Sequence, residues 1–205
     1  FSYFSLYEDF ESQPETAWLA TRYRIYMDCP YHPLLSAYGF EVLNFGSFKE
    51  KLKSLWQPAR LSWDERGWGT NYTYQKGITP IDNGRERALS NTYADRSTVR
   101  LNAGFLSSMA AWCSSHGVRL ILVTTPVMPS FRANEEPSQR AENERCLRRL
   151  LSRHRNVEYY NFETDARFTP DDFYDADHLN DRGARRLTSL LRHILERDEA
   201  PSVTR

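Results

Sequence analysis

Near its carboxyl end the chain reads DFYDADHLNDRGARRLTSLL, which sets Asp175 three residues ahead of His178 and then opens a helix. A carboxylate one short turn before an imidazole can hold one ring nitrogen and fix the tautomer. The other nitrogen is then left to take a proton from a nucleophile. The same residues also suit a structural role, in which Asp175 or Asp177 closes a loop while His178 packs against a sheet. Under either reading Asn180 is suited to cap the helix, and Gly183 lets that helix approach a neighbouring backbone closely.

Other chemistry is thinner. Ser47 lies between a strand-like run and a helix in EVLNFGSFKEKL, the arrangement of a nucleophile elbow. With Glu50 three residues on, it also forms a capping box, and we prefer that reading. The loop WDERGWGTNYTY carries Trp63, Trp68 and Tyr72, whose rings can stack on sugar faces or pin the loop into a satellite core. His32, His116, His154 and His193 show no ligand spacing, so no metal is expected. Cys29, Cys113 and Cys146 form no metal-type pair and no disulfide framework, and Cys113 and Cys146 fall on apolar helix faces.

These residues need a scaffold. Residues 1–7 read as a strand, 14–27 as a helix, and FEVLNF as a short strand leading into a further helix. Residues 57–83 are irregular. The second half is more regular. Between Thr98 and His116, Val99, Leu106, Ala110 and Cys113 form a helical stripe, widened by Leu101, Phe105 and Met109. Gly117 is a helix stop. VRLILVTTPV is nearly all aliphatic and β-branched, as in a parallel strand buried on both faces. Residues 137–154 form a helix with Cys146, Leu147, Leu150 and Leu151 inward. VEYYNF is a strand, and a last helix packs through Ala184, Leu187, Leu191 and Ile194. Strands alternating with helices imply crossover units and a parallel sheet, whose ligands sit beyond the carboxyl ends of the strands. His178 follows VEYYNF and falls in such a place.

Composition excludes several classes. With 40% hydrophobic residues the chain is too apolar for disorder, and its 205 residues suit one domain. The 27 basic and 27 acidic residues cancel, so no global field draws it to nucleic acid. The arginines of QRAENERCLRRLLSRHR alternate with acids and oppose the leucines, which marks a solvated face rather than an interaction surface. No run is long enough to span a bilayer.

FYDADHLNDRGARRLTSLL resembles the carboxyl-terminal block of SGNH (GDSL-type) hydrolases, in which Asp-x-x-His supplies the acid and base of a Ser-His-Asp triad. LILVTTPVMPSF is similar to the strand and loop before that block in bacterial envelope members. FSYFSL and DERGWGTNY resemble segments of a branch found beside polysaccharide genes. The resemblance implies a three-layer α/β, parallel-sheet fold of SGNH-hydrolase type over 1–205. Asp175 would orient the imidazole and His178 would act as base, without a cofactor, on a carbohydrate or other ester. The location implied is the bacterial cell envelope or the cytoplasm.

The chain has no Gly-Asp-Ser and no Gly-x-Asn-Asp. By the family pattern, the nucleophile and oxyanion hole would lie upstream of Phe1, leaving the fold incomplete at its amino end. The function implied is an esterase or O-acyltransferase acting on a carbohydrate ester. The alternative is a non-catalytic SGNH-like binding or assembly module of polysaccharide biosynthesis. The chain by itself is expected to show no appreciable esterase activity. FSYFSL, as an apolar edge strand without its neighbour, is expected to promote self-association.

Overall fold

The computed structural model describes residues 1–7, 73–74 and 80–199. The chain divides into two compact units, one of Phe1–Leu6 with Trp63–Arg205 and one of Tyr7–Ser62. The elements described belong to the first unit. In order they are α1 (Gly84–Ser90), α2 (Ser97–Ser115), β1 (Leu120–Thr124), α3 (Pro129–Ala133), α4 (Pro137–Arg153), β2 (Val157–Asn161), a 3-10 turn (Pro170–Asp172) and α5 (Asp181–Glu199). The two helices and the strand expected over residues 14–56 lie outside the described residues.

β1 and β2 pair in parallel, from Leu120 opposite Val157 to Thr124 opposite Asn161. Parallel neighbours cannot be joined by a tight turn, and α4 lies in the crossover. Side-chain alternation along the strands divides the core. Leu120, Leu122 and Val157 pack with Ala110 and Leu106 of α2 and Leu150 and Leu151 of α4. Val123 and Tyr160 meet Leu187, Leu190, Leu191 and Ile194 of α5, together with Phe162. The pair is therefore covered by helices on both faces, which is why β1 is aliphatic up to its last residue, Thr124. The described residues are mixed helix and strand with a parallel β–α–β crossover.

Local signals place the helices. α2 runs to Ser115, and Gly117 at φ 66° turns the chain into the left-handed region, so that the Val118 N–H reaches back to the Cys113 carbonyl at 2.7 Å. α4 opens with Pro137 at its first position, and the Glu136 carboxylate accepts the N–H groups of Ser138 and Gln139. α5 is capped by Asn180, whose Oδ1 accepts the Gly183 N–H at 3.0 Å.

Two expectations are corrected. Residues 1–7 form turns and not a strand. The Ser5 N–H donates to the Ser2 carbonyl at 3.1 Å, and the Ser2 N–H donates to Ser5 Oγ at 2.7 Å. These two local bonds close the backbone on itself. Tyr3 and Leu6 are buried three residues apart, the spacing of a coiled segment rather than of an alternating strand. FSYFSL therefore presents no edge strand through which copies of the chain can pair. The second correction concerns α2. Leu101, Phe105 and Met109 are exposed, at 58%, 58% and 53%, and do not widen the buried stripe. At about 100° of turn per residue, Phe105 points roughly 120° away from the line through Val99 and Ala110.

Among the described residues no helix is long and apolar enough to cross a membrane.

Candidate active site

The loop between the 3-10 turn and α5 is fastened almost residue by residue. Phe173 and Leu179 form an antiparallel bridge, and the Tyr174 N–H donates to the His178 carbonyl at 2.9 Å. Ala176, fully buried at the loop tip, donates its N–H to Asn83 Oδ1 at 3.2 Å and accepts the Met128 N–H at 2.8 Å. The loop is thus tied to the residue before α1 and to the residue before α3. At its base Asn180 Nδ2 donates to the carbonyls of Asp171 (2.8 Å) and Phe173 (3.1 Å). Gly183 lets α5 lie against this base, where a Cβ would stand 2.1 Å from the Asp172 carbonyl oxygen.

Within this frame the structure brings Asp175 and His178 together. The imidazole Nδ1–H donates to Asp175 Oδ1 at 2.9 Å. The same oxygen accepts the backbone N–H groups of His178 (2.9 Å) and Asp177 (3.2 Å). Asp175 therefore both closes the loop and orients the ring. With Nδ1 engaged, Nε2 is the nitrogen able to take a proton. The His178 side chain is half exposed (51%), while that of Asp175 is 13% exposed.

The charges are coupled as this geometry requires. The hydrogen bond to Asp175 raises the His178 pKa above its ordinary value; burial opposes this, and the charges of Asp175 and Asp177 add to it. Burial pushes the Asp175 carboxyl up, but the imidazole and the two backbone N–H groups outweigh it, so the carboxyl titrates below its usual range.

His178 lines a cleft of about 180 Å³ together with Asp177, Ser2, Thr124, Thr125, Glu135 and Glu163, among others. Thr124 ends β1, Thr125 follows it, and Glu163 lies just beyond β2. The cleft therefore lies past the carboxyl ends of the parallel strands, where such sheets hold ligands. Of the hydroxyls lining it, Thr124 Oγ1 is committed, donating to the Phe1 carbonyl at 2.6 Å and bonded to the Tyr159 hydroxyl at 2.7 Å. Ser2 is held through its backbone: its carbonyl accepts from Asn143 Nδ2 at 2.7 Å. Two of the cleft's carboxylates, Glu135 and Glu163, belong to an ion-pair cluster. Arg140 reaches both Glu135 and Glu163, and Arg132 donates to Glu163 at 2.9 Å and to Glu135 at 3.2 Å. Burial, with the Glu163 charge beside it, pushes the Glu135 pKa up to about 7 against the pull of Arg140 and Arg132.

Asp175, Asp177 and His178 are close enough for their ligand atoms to meet at one ion. Their bonding argues for another use. Both Asp177 oxygens accept from Arg87, at 2.7 and 2.9 Å, and Asp175 Oδ1 already takes three N–H donors. A guanidinium fork supplies the positive charge that a cation would bring.

Trp63, Trp68 and Tyr72, the candidate sugar-stacking residues, lie outside the described residues, as does Ser47. Sequence reasoning missed Ser2, Arg87, Glu135 and Glu163. Ser2 has no flanking motif. Glu135 and Glu163 are distant in sequence and meet only through the two arginines. Arg87 carries a faint signal in Gly84, which opens its short helix: a Cβ there would lie 2.4 Å from the Phe131 backbone nitrogen, so α1 and α3 touch backbone to backbone.

Comparison with family models, with curated proteins and with solved structures gives no match.

Proposed function

We propose that Asp175 and His178 are the acid–base half of an SGNH-type ester hydrolase or O-acyltransferase centre whose substrate is a carbohydrate ester. The observation that carries this reading is the 2.9 Å bond from Nδ1 to Asp175 Oδ1, on a half-exposed imidazole that lines an open cleft. A histidine kept for packing alone would be buried; this one keeps a face to solvent and one nitrogen uncommitted. That same point favours catalysis over a non-catalytic SGNH-like module. The fold proposed is the three-layer SGNH type, and the helices on both faces of the parallel pair support it.

In the proposed reaction a hydroxyl attacks the ester carbonyl, and Nε2 of His178 accepts its proton. The tetrahedral intermediate collapses, and Nε2 returns the proton to the departing alcohol oxygen. Water or a second alcohol then releases the acyl group by the same steps in reverse. Asp175 stabilises the imidazolium formed on the way. Ser2 lines the cleft, and it is tested as a nucleophile within this chain against the expectation that the attacking serine lies upstream and that the chain alone has no appreciable activity.

Acetate release from an acetylated oligosaccharide tests the reading. His178→Ala should lower kcat by about 10³-fold or more, and Asp175→Asn by about 10²–10⁴-fold. Ser2→Ala should match His178→Ala if Ser2 attacks, and stay near wild type if another hydroxyl does. Turnover that is indifferent to both His178→Ala and Asp175→Asn would sink the assignment.

A further inference from the structure

Two carboxylates stand within reach of one imidazole nitrogen. His178 Nδ1 lies 2.9 Å from Asp175 Oδ1 and 3.5 Å from Asp177 Oδ1. Both acids belong to the same short loop, and Asp177 is the more buried, its side chain 5% exposed against 13% for Asp175. A buried charge is screened less by water, so an unpaired Asp177 would compete strongly for the ring. What separates the two is a cation. Arg87, one turn into α1, donates from Nε to Asp177 Oδ1 at 2.7 Å and from Nη2 to Oδ2 at 2.9 Å. Asn91 Nδ2, just past the end of α1, stands 3.5 Å from Oδ2. A two-pronged guanidinium–carboxylate pair fixes direction as well as charge. The start of α1 is tied to this loop through Asn83 Oδ1, which accepts the Ala176 N–H, and α1 is packed against α3 by the close approach at Gly84.

We propose that Arg87 is a positioning residue that assigns His178 to Asp175, by occupying both oxygens of Asp177 and so removing it as a rival acceptor. The functional meaning of this device rests on the acid–base reading of Asp175–His178. Its operation does not. With Arg87 in place, Asp175 is the carboxylate left to hold the imidazole, and the ring keeps one orientation, with Nε2 free for the cleft. Without Arg87, Asp177 becomes an unpaired carboxylate 3.5 Å from Nδ1, and the ring divides itself between two acceptors. The other charges lining the cleft are Glu135 and Glu163, and these are paired with Arg132 and Arg140. They are untouched by changes at Arg87 and act as a constant background.

The test is an NMR titration of the His178 ring in the full chain, for wild type, Arg87→Gln, Asp177→Asn, Asp175→Asn and the double variant Arg87→Gln/Asp177→Asn. Removing the cation alone should move the His178 midpoint upward, because two carboxylates then favour the imidazolium. The double variant, which deletes cation and rival together, should return it to near the wild-type position. Arg87→Lys, keeping the charge but not the fork, should fall between wild type and Arg87→Gln. An unmoved midpoint in Arg87→Gln overturns the proposal, and so does a shift that persists in the double variant. Should Arg87→Gln fail to fold with Asp177 left unpaired, the two aspartate variants decide alone: Asp175→Asn must lower the midpoint more than Asp177→Asn, and the reverse order overturns the proposal. The titration reads the ring whether or not an ester is hydrolysed, so its result and that of the acetate assay fail independently.

Discussion

Asp175 Oδ1 accepts three N–H groups, two from the backbone and one from the imidazole, and this double duty shapes what its removal should do. Asp175→Asn keeps an oxygen for the backbone bonds but removes the charge that His178 feels. The His178 pKa is raised in the fold, so its share of stability is present below its ordinary value near 6.5 and is lost as pH rises through the raised value. The Asp175 pKa is lowered, so its share is present above its ordinary value near 3.8 and is lost as pH falls through the depressed one. The stability gap between wild type and Asp175→Asn should therefore be widest between these two values and narrow at alkaline pH, which urea unfolding across that range will show. Glu135 has the opposite sign for a carboxylate. Its pKa rises from 4.5 to about 7, so the folded state holds the proton longer than the unfolded chain. Stability should fall as pH climbs through that interval. Glu135→Gln should flatten this slope in melting curves, and an unchanged slope would show that the buried charge is relieved some other way.

At the scale of elements, the loop that carries His178 depends on the start of α5. Asn180 caps that helix through Oδ1 and ties the loop base through two bonds from Nδ2. Asn180→Ala loses the cap and leaves two carbonyls without their donor, one of them buried. We expect a cost of about 2–3 kcal/mol by denaturant titration, above the ~1 kcal/mol of an ordinary cap. Gly183 answers to sterics alone. A Cβ 2.1 Å from the Asp172 carbonyl cannot be relieved by rotating a flexible side chain, so α5 or the 3-10 turn must move. Gly183→Ala should cost about 1–3 kcal/mol and broaden the His178 ring resonances, while leaving the far end of α5 unaffected.

Over the whole molecule, the cores on the two faces of the parallel pair set which substitutions matter. Leu150 is 5% exposed and packs between α2 and the sheet, so Leu150→Ala should cost about 2–5 kcal/mol in chemical denaturation. Phe105 is the larger side chain, yet it is 58% exposed, and Phe105→Ala should stay within about 0.5 kcal/mol. If the two costs came out equal, the exposed face of α2 would be covered in solution.

Periodicity and local chemistry determined much of this protein from sequence alone. α2, β1, α4, β2 and α5 lie where aliphatic runs, helical stripes and Gly117 place them, because those signals act within a few residues. The cap at Asn180 and the close approach at Gly183 were legible for the same reason, and so was the reach of Asp175 to His178 across one turn. The turned conformation of residues 1–7 was not, since FSYFSLY satisfies strand and coil patterns alike until the Ser2 and Ser5 bonds and the burial of Tyr3 and Leu6 choose between them. The outward face of α2 was misjudged because apolar residues on adjacent faces of a helix look like one broad stripe until packing picks a side. Arg87 lies 90 residues from Asp177, and Ser2 stands still farther from His178 along the chain. No local pattern links such positions. Only the folding of α1 against the loop, and of the amino-terminal turns against β1, brings a cation to one carboxylate and a hydroxyl to the cleft.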